Sequence, residues 1–140
     1  MAIRGGKGAG KWTLLRWVMG LLADRPDAVL LRGMPVGDCP AYEMAAAGVV
    51  LVPEGRRLFR SLSVEENLII GGRLKRPGPW SLDSVYALFP VLKERPANPA
   101  EHLSGGQRPL VATGRALTAN PAPCLRAAPP PGPAAATVQR

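Results

Sequence analysis

Gly5 to Thr13 read GGKGAGKWT: a glycine, four residues, then Gly10-Lys11. That spacing belongs to a glycine-rich turn that opens a helix and takes a phosphate. The reason is physical. Glycines let the backbone come close and turn its N–H groups inward, the following helix offers its positive end, and a lysine adds a full charge. The candidate cradle is Gly5, Gly6, Lys7, Gly8, Ala9, Gly10, Lys11, Trp12 and Thr13. After it, Leu14, Leu15, Val18, Met19, Leu21 and Leu22 recur at helical spacing, which predicts a helix from Lys11 to about Ala23. One part departs from the pattern. A Ser or Thr, whose hydroxyl holds Mg²⁺, belongs directly after the lysine, and Trp12 stands there. Thr13 is one step on, rotated by about 100° round the helix, and makes a poor substitute.

A chain of 140 residues is one domain's worth. Its net charge of +8 invites polyanions, but the basic residues are scattered, with small clusters at Arg56-Arg57-Arg60 and Arg73-Lys75-Arg76. Only seven aromatics are present, and they do not interleave with the basic residues as a base-stacking surface would. The clusters therefore read as solvated surface charge, and no nucleic-acid partner is expected. Cys39, Cys124 and the single His102 form neither a disulfide framework nor a metal-ligand spacing. Arg16 interrupts the first apolar run, which argues against a signal peptide, and the uncharged run from Met44 to Pro53 is too short to span a bilayer.

Along the chain, Ala28–Leu31 and Val49–Val52 read as strands, the second as one buried on both faces. Pro40–Ala47 reads as a short helix with Gly48 past its end. Ser63-Val64-Glu65-Glu66 is a capping box for a helix to about Gly71. Leu82, Val85, Leu88, Phe89 and Leu92 share one helical face, capped by Ser81. Ser104 can cap a last helix, to about Ala119, whose first turn carries Gly105 and Gly106; such a start leaves N–H groups unshielded, which suits an anion. Pro109 lies near that start and removes one backbone bond. From Asn120 the pattern fails, and six prolines between Pro121 and Pro133 predict extended or disordered chain.

Two phosphate-seeking glycine turns together resemble the ATP-binding cassette (ABC) ATPases. LSGGQ, Leu103 to Gln107, looks like that family's signature motif. VLVPEGRRLFRSLSVEENL (Val50 to Leu68) is similar to the Q-loop region of cassettes from branched-chain amino acid importers, with Glu54 where most cassettes carry Gln. LFPVLKER (Leu88 to Arg95) and GRALTANP (Gly114 to Pro121) resemble the same subfamily, so the likeness runs from Ile3 to about Pro121. It implies an α/β fold: a P-loop NTPase-like partial parallel sheet with helices, an α-helical subdomain and a Pro/Ala-rich disordered C-terminal tail. The expected division is 1–53 for a partial nucleotide-binding core and 54–107 for a helical subdomain ending in the signature. Residues 108–121 would form the signature helix returning to the core, and 122–140 the tail.

The resemblance also implies a mechanism. Two cassettes, as a homo- or heterodimer, hold each ATP between the phosphate loop of one and the signature helix of the other, and their closing drives a transmembrane permease subunit. Lys11 and the amides of Gly8 to Trp12 would cradle the β- and γ-phosphates. Ser104, Gly105, Gly106 and Gln107 would face the partner's ATP. Glu54 and the Arg56–Phe59 stretch would sense nucleotide and touch the permease. Mg²⁺ accompanies ATP in the family, and the expected location is cytoplasmic, peripheral at the inner face of the membrane. The family's Asp and Glu, for metal and for the attacking water, fall in register on Ala127 and Ala128. Its switch histidine would lie past Arg140, and its adenine-stacking aromatic before Met1. The expectation is thus an ATP-binding, hydrolysis-impaired cassette, truncated or with an out-of-frame tail, with no catalytic carboxylate and no metal ligand of its own. The alternative is a non-catalytic fragment that binds a membrane subunit or an intact cassette.

Overall fold

The structure is a computed structural model that describes residues 10–22, 29–31, 33–52, 58–122 and 124–126. The phosphate-loop glycines before residue 10, Glu54 and residues 127–140 lie outside the described residues. Helix α1 (Lys11–Val18) is followed by strands β1 (Leu30–Leu31) and β2 (Met34–Pro35), helix α2 (Ala41–Ala46) and strand β3 (Val50–Val52). Then come α3 (Val64–Gly72), α4 (Leu82–Leu88), α5 (Pro90–Lys93), a 3₁₀ turn (Ala100–His102), α6 (Gln107–Thr118) and strand β4 (Cys124–Arg126).

The mixed α/β class expected from the sequence is what the structure shows. β3 and β4 pair in parallel, with Val50 opposite Cys124, Leu51 opposite Leu125 and Val52 opposite Arg126. This corrects the expectation of disordered chain from residue 122 onward. The three residues of β4 take their ladder bonds from β3, and Ala122 N–H already donates to Gly48 C=O at 3.0 Å, which steers the chain into register. β1 and β2 form an antiparallel hairpin that turns through Gly33, φ 83°.

Three apolar clusters hold the elements together. The largest joins α3, α4, α5 and α6 through Val64, Leu68, Val85, Tyr86, Leu92, Leu103, Val111 and Leu117. α3 and α6 cross closely because both carry glycine at the crossing. A Cβ on Gly114 would sit 2.7 Å from Leu68 Cδ2 and 2.9 Å from Val85 Cγ1, and one on Gly71 would collide with the Arg115 carbonyl. Thr118 Oγ1 donates to Leu68 C=O at 2.7 Å across the same contact. A second cluster, Met19, Met44 and Val49, joins α1, α2 and the start of β3, and a third packs Val52 on Ala112 and Ala116 of α6. β3 is thus covered by α6 on one side; Val49 and Val52 are buried, while Val50 and Leu51 are half-buried.

Two helices differ from their sequence reading. α1 ends at Val18, where Gly20 adopts φ 65° and lies against the Cys39 carbonyl. The apolar stripe from Leu82 to Leu92 is two helices, broken at Phe89 (φ −126°, ψ 73°), because Pro90 cannot donate back into α4 and starts α5 instead.

Candidate functional site

Both glycine turns singled out in the sequence open a helix, as far as the described residues reach. Gly10 is the N-cap of α1, at φ 70° and ψ 8°, and Leu14 N–H donates to its carbonyl at 2.9 Å. A left-handed cap of this kind suits glycine, and a Cβ there would meet nothing. No acidic residue lies in the first turn of α1. Its orphan N–H groups and positive end are therefore left for an anion. Lys11, Trp12 and Thr13 form that first turn, and Thr13 is exposed.

The second turn is a capping box built on SGGQ. Gln107 N–H donates to Ser104 Oγ at 3.3 Å, and Ser104 N–H donates to Gln107 Oε1 at 3.0 Å. Gln107 and Arg108 N–H groups both reach the Ser104 carbonyl, at 3.1 and 3.2 Å. Ser104, Gly105 and Gly106 are exposed, and a Cβ on Gly106 would meet open space. Among the described residues nothing requires glycine at residue 106. First turns of α3 and α4 carry Glu65, Glu66 and Asp83, whereas that of α6 carries no acid and has Arg108. A cation there opposes the helix dipole and leaves the turn positive.

The two turns rest on different clusters. The chain leaving α1 packs through Met19 into the cluster with Met44 and Val49; Leu103, ahead of the second turn, and Val111 of α6 pack in the helical cluster. Each is therefore positioned separately, one on either side of β3.

Asn67 supports the segment that begins at Leu58. It is fully buried. Its Oδ1 accepts from Phe59 N–H at 3.1 Å, and its Nδ2 donates to the carbonyls of Phe59, Leu62 and Ser63 at 3.0, 3.3 and 2.9 Å. Residues 60–65 are laced in turn to 96–101, by Val64 N–H to Asn98 C=O and Ala100 N–H to Leu62 C=O, at 3.0 and 2.9 Å. Phe59 itself is about half exposed, with the Arg115 guanidinium over its ring at 5.4 Å. It lines an apolar cleft of about 420 Å³ together with Met19, Leu51, Ile70, Leu74 and Arg115.

Sequence reading missed three polar residues. Arg76, read as solvated charge, donates from Nη1 to Ala46 C=O at 2.6 Å and from Nε to Asn120 C=O at 3.3 Å. Asn120, at φ 47°, uses its amide to bond both Trp80 N–H and Trp80 C=O, at 2.8 and 3.0 Å. These two tie the 76–80 loop to the ends of α2 and α6. Arg108 donates to Glu101 C=O at 2.8 Å and Leu103 C=O at 3.1 Å. The partners of Arg76 and Asn120 lie 30 to 44 residues away and those of Arg108 are plain backbone carbonyls, so none leaves a mark in local sequence; only the Asn-Pro at 120–121 hints at a turn.

Exposed helix-start amides beside a guanidinium suit a phosphate. No group of three or more His, Cys, Asp or Glu able to hold a metal ion occurs among the described residues. No helix among them is long and apolar enough to cross a membrane.

Residues 1–125 match the model of the ABC transporter family. The chain is 38% identical over 119 residues to the high-affinity branched-chain amino acid transport ATP-binding protein BraG of Pseudomonas aeruginosa, covering 84% of this chain and 51% of that protein. It is 40% identical over 130 residues to the molybdenum import ATP-binding protein ModC of Granulibacter bethesdensis, covering 84% of this chain and 33% of that one. Among solved structures it is similar to a nucleotide-free ATP-binding cassette from an ABC transporter, with TM-score 0.64, 26% identity, and coverage of 87% of this chain and 55% of that chain. The chain thus spans about half, or less, of the length of the relatives it matches.

Proposed function

This chain belongs to the ABC transporter family, and on that premise we propose that it is an ATP-binding subunit of an importer for branched-chain amino acids, one that holds ATP and hydrolyses it poorly. The observation that carries the reading is the SGGQ turn. Gly105 and Gly106 are exposed, a Cβ on Gly106 would meet nothing, Ser104 and Gln107 satisfy each other in a capping box, and Arg108 sets a guanidinium in the same first turn. Gly10 offers a matching helix start at α1. ATP would supply the negative charge that both helix starts lack, with the Lys11 turn of one copy and the Ser104–Gly106 turn of another on either side of it. The importer class follows from the likeness to BraG; the likeness to ModC makes the transported solute the weaker part of the proposal.

Phosphoryl transfer depends on positioning and charge neutralisation. With Trp12 at the hydroxyl position, and Ala127 and Ala128 where the family has Asp and Glu, this chain supplies neither the metal-holding groups nor the carboxylate that orients water. Its own residues therefore bind and orient the nucleotide and move no proton. Each tenfold of lost rate corresponds to about 1.4 kcal/mol of transition-state stabilisation, so losing several such groups costs many powers of ten.

Equilibrium dialysis with ATP and Mg²⁺, on wild type and Lys11→Ala, tests the reading. Saturable binding that Lys11→Ala weakens supports it; equal and negligible binding by both proteins removes it. The second reading is a non-catalytic fragment that binds a membrane subunit. The cleft lined by Phe59, Ile70, Leu74 and Arg115 favours it, being apolar and open at Phe59 and Leu74. Under that reading association with the permease is unchanged in Lys11→Ala.

A further inference from the structure

We propose that Arg108 is a positioning residue that holds the SGGQ turn in its phosphate-facing form before any nucleotide arrives. This rests on the nucleotide-binding reading above. The 3₁₀ turn at Ala100–His102 leads directly into Leu103 and Ser104. Its final carbonyls have no helix to continue into. Arg108 reaches back over the two glycines and donates from Nη2 to Glu101 C=O at 2.8 Å and from Nε to Leu103 C=O at 3.1 Å. Gln107 reaches back beside it and accepts from Ser104 N–H at 3.0 Å. The peptide units that lead into Gly105, Glu101–His102 and Leu103–Ser104, are thus clamped from the first turn of α6, while both glycines stay exposed and a Cβ on Gly106 would meet nothing.

Glycines lose more conformational freedom on ordering than any other residue. A turn containing two of them would otherwise have to be ordered at the moment of binding, weakening it. The guanidinium fork suits the task, since one rigid plane spans two carbonyls; a lysine reaches one at a time. Placing a cation in a helix's first turn opposes the dipole, and its two carbonyl bonds offset that cost. The same charge then adds to the field at the exposed amides.

The test uses the full chain, ¹⁵N-labelled, as wild type, Arg108→Ala and Arg108→Lys. Amide order parameters of Gly105 and Gly106 should fall from about 0.85 to below about 0.6 in Arg108→Ala, with Arg108→Lys between. Sedimentation with ATP and Mg²⁺ should show pairing of copies weakened about tenfold more than single-chain ATP affinity in Arg108→Ala, with part regained in Arg108→Lys. Unchanged glycine amide order in either folded variant overturns the proposal, as does equal pairing in all three proteins. If wild type and Lys11→Ala both fail to bind ATP, the nucleotide reading falls, and amide order alone still judges the clamp.

Discussion

The Arg76 guanidinium fills the space beside Gly48 that a side chain on residue 48 would enter. Gly48 ends α2 at φ 94°, and Arg76 comes in over it to reach Ala46 C=O at 2.6 Å. Removing the guanidinium frees two carbonyls at helix ends. Arg76→Ala should cost about 1–2 kcal/mol, a moderate value because part of the contact is solvated. At this chain length that is roughly 3–8 °C in melting temperature. Gly48→Ala should destabilise through both its left-handed backbone and the clash, and should cost less when Arg76 is already Ala. A double-mutant cycle by thermal melting reads this directly; strict additivity would show that the two residues do not share the space.

Asn67→Ala should be among the most damaging single changes. It empties a fully buried amide site and leaves Phe59 N–H and several carbonyls of the 59–63 segment without their partner. Unsatisfied buried groups cost about 1–3 kcal/mol each, so a loss of about 3 kcal/mol in urea unfolding is expected. Hydrogen exchange should quicken first at Phe59 and at Val64.

The glycines divide by what surrounds them. Gly71→Ala meets backbone at Arg115 and should cost about 3 kcal/mol; Gly114→Ala meets the ends of Leu68 and Val85 side chains and should cost about 1–2 kcal/mol. Gly106→Ala meets open space and should leave stability unchanged or raise it by up to about 1 kcal/mol through helix propensity. ATP-dependent pairing should nonetheless fall in that variant, because a methyl group would stand on the amide edge. Melting and sedimentation on the same samples separate the two effects.

Tyr86 carries an alkaline signature. Burial is the main cause that pushes its phenol far above the usual tyrosine range, with its hydrogen bond to Glu65 Oε2 at 3.0 Å and that carboxylate's charge adding to it. The folded state therefore holds the proton more tightly than the unfolded chain. Stability from this group is fully present below about pH 10, where unfolded tyrosine titrates, and is lost as pH rises beyond it. Urea unfolding from pH 9 to 12 should show a steeper fall for wild type than for Tyr86→Phe.

Legibility followed how local each cause is. The capping box at Ser63–Glu66 and the apolar run at Val49–Val52 announced α3 and β3 within a residue or so, because a Ser three residues ahead of a Glu, or four apolar residues in a row, is written in the chain itself. The Ser104 cap was legible for the same reason. Phe89 hid a break, since apolar spacing runs on through it while Pro90 removes a donor. Cys124-Leu125-Arg126 is a poor strand by composition and becomes one only because β3 supplies its ladder. Arg76 looked like surface charge because its acceptors sit at Ala46 and Asn120, set by the fold alone, and the role of Arg108 went unread for want of a pattern that marks Glu101 and Leu103 as its acceptors.

The pairing of Val50–Val52 with Cys124–Arg126 joins segments separated by residues 53–123. Closing so long a loop is entropically slow unless something shortens it first. The α3–α6 crossing does so, for its glycines and Thr118 bring the two chain ends back to the same place. If the helices assemble before the ladder zips, a refolding experiment should find strand protection arriving last and, on unfolding, leaving first; strand protection that arrives together with that of α3 and α6 would overturn this order.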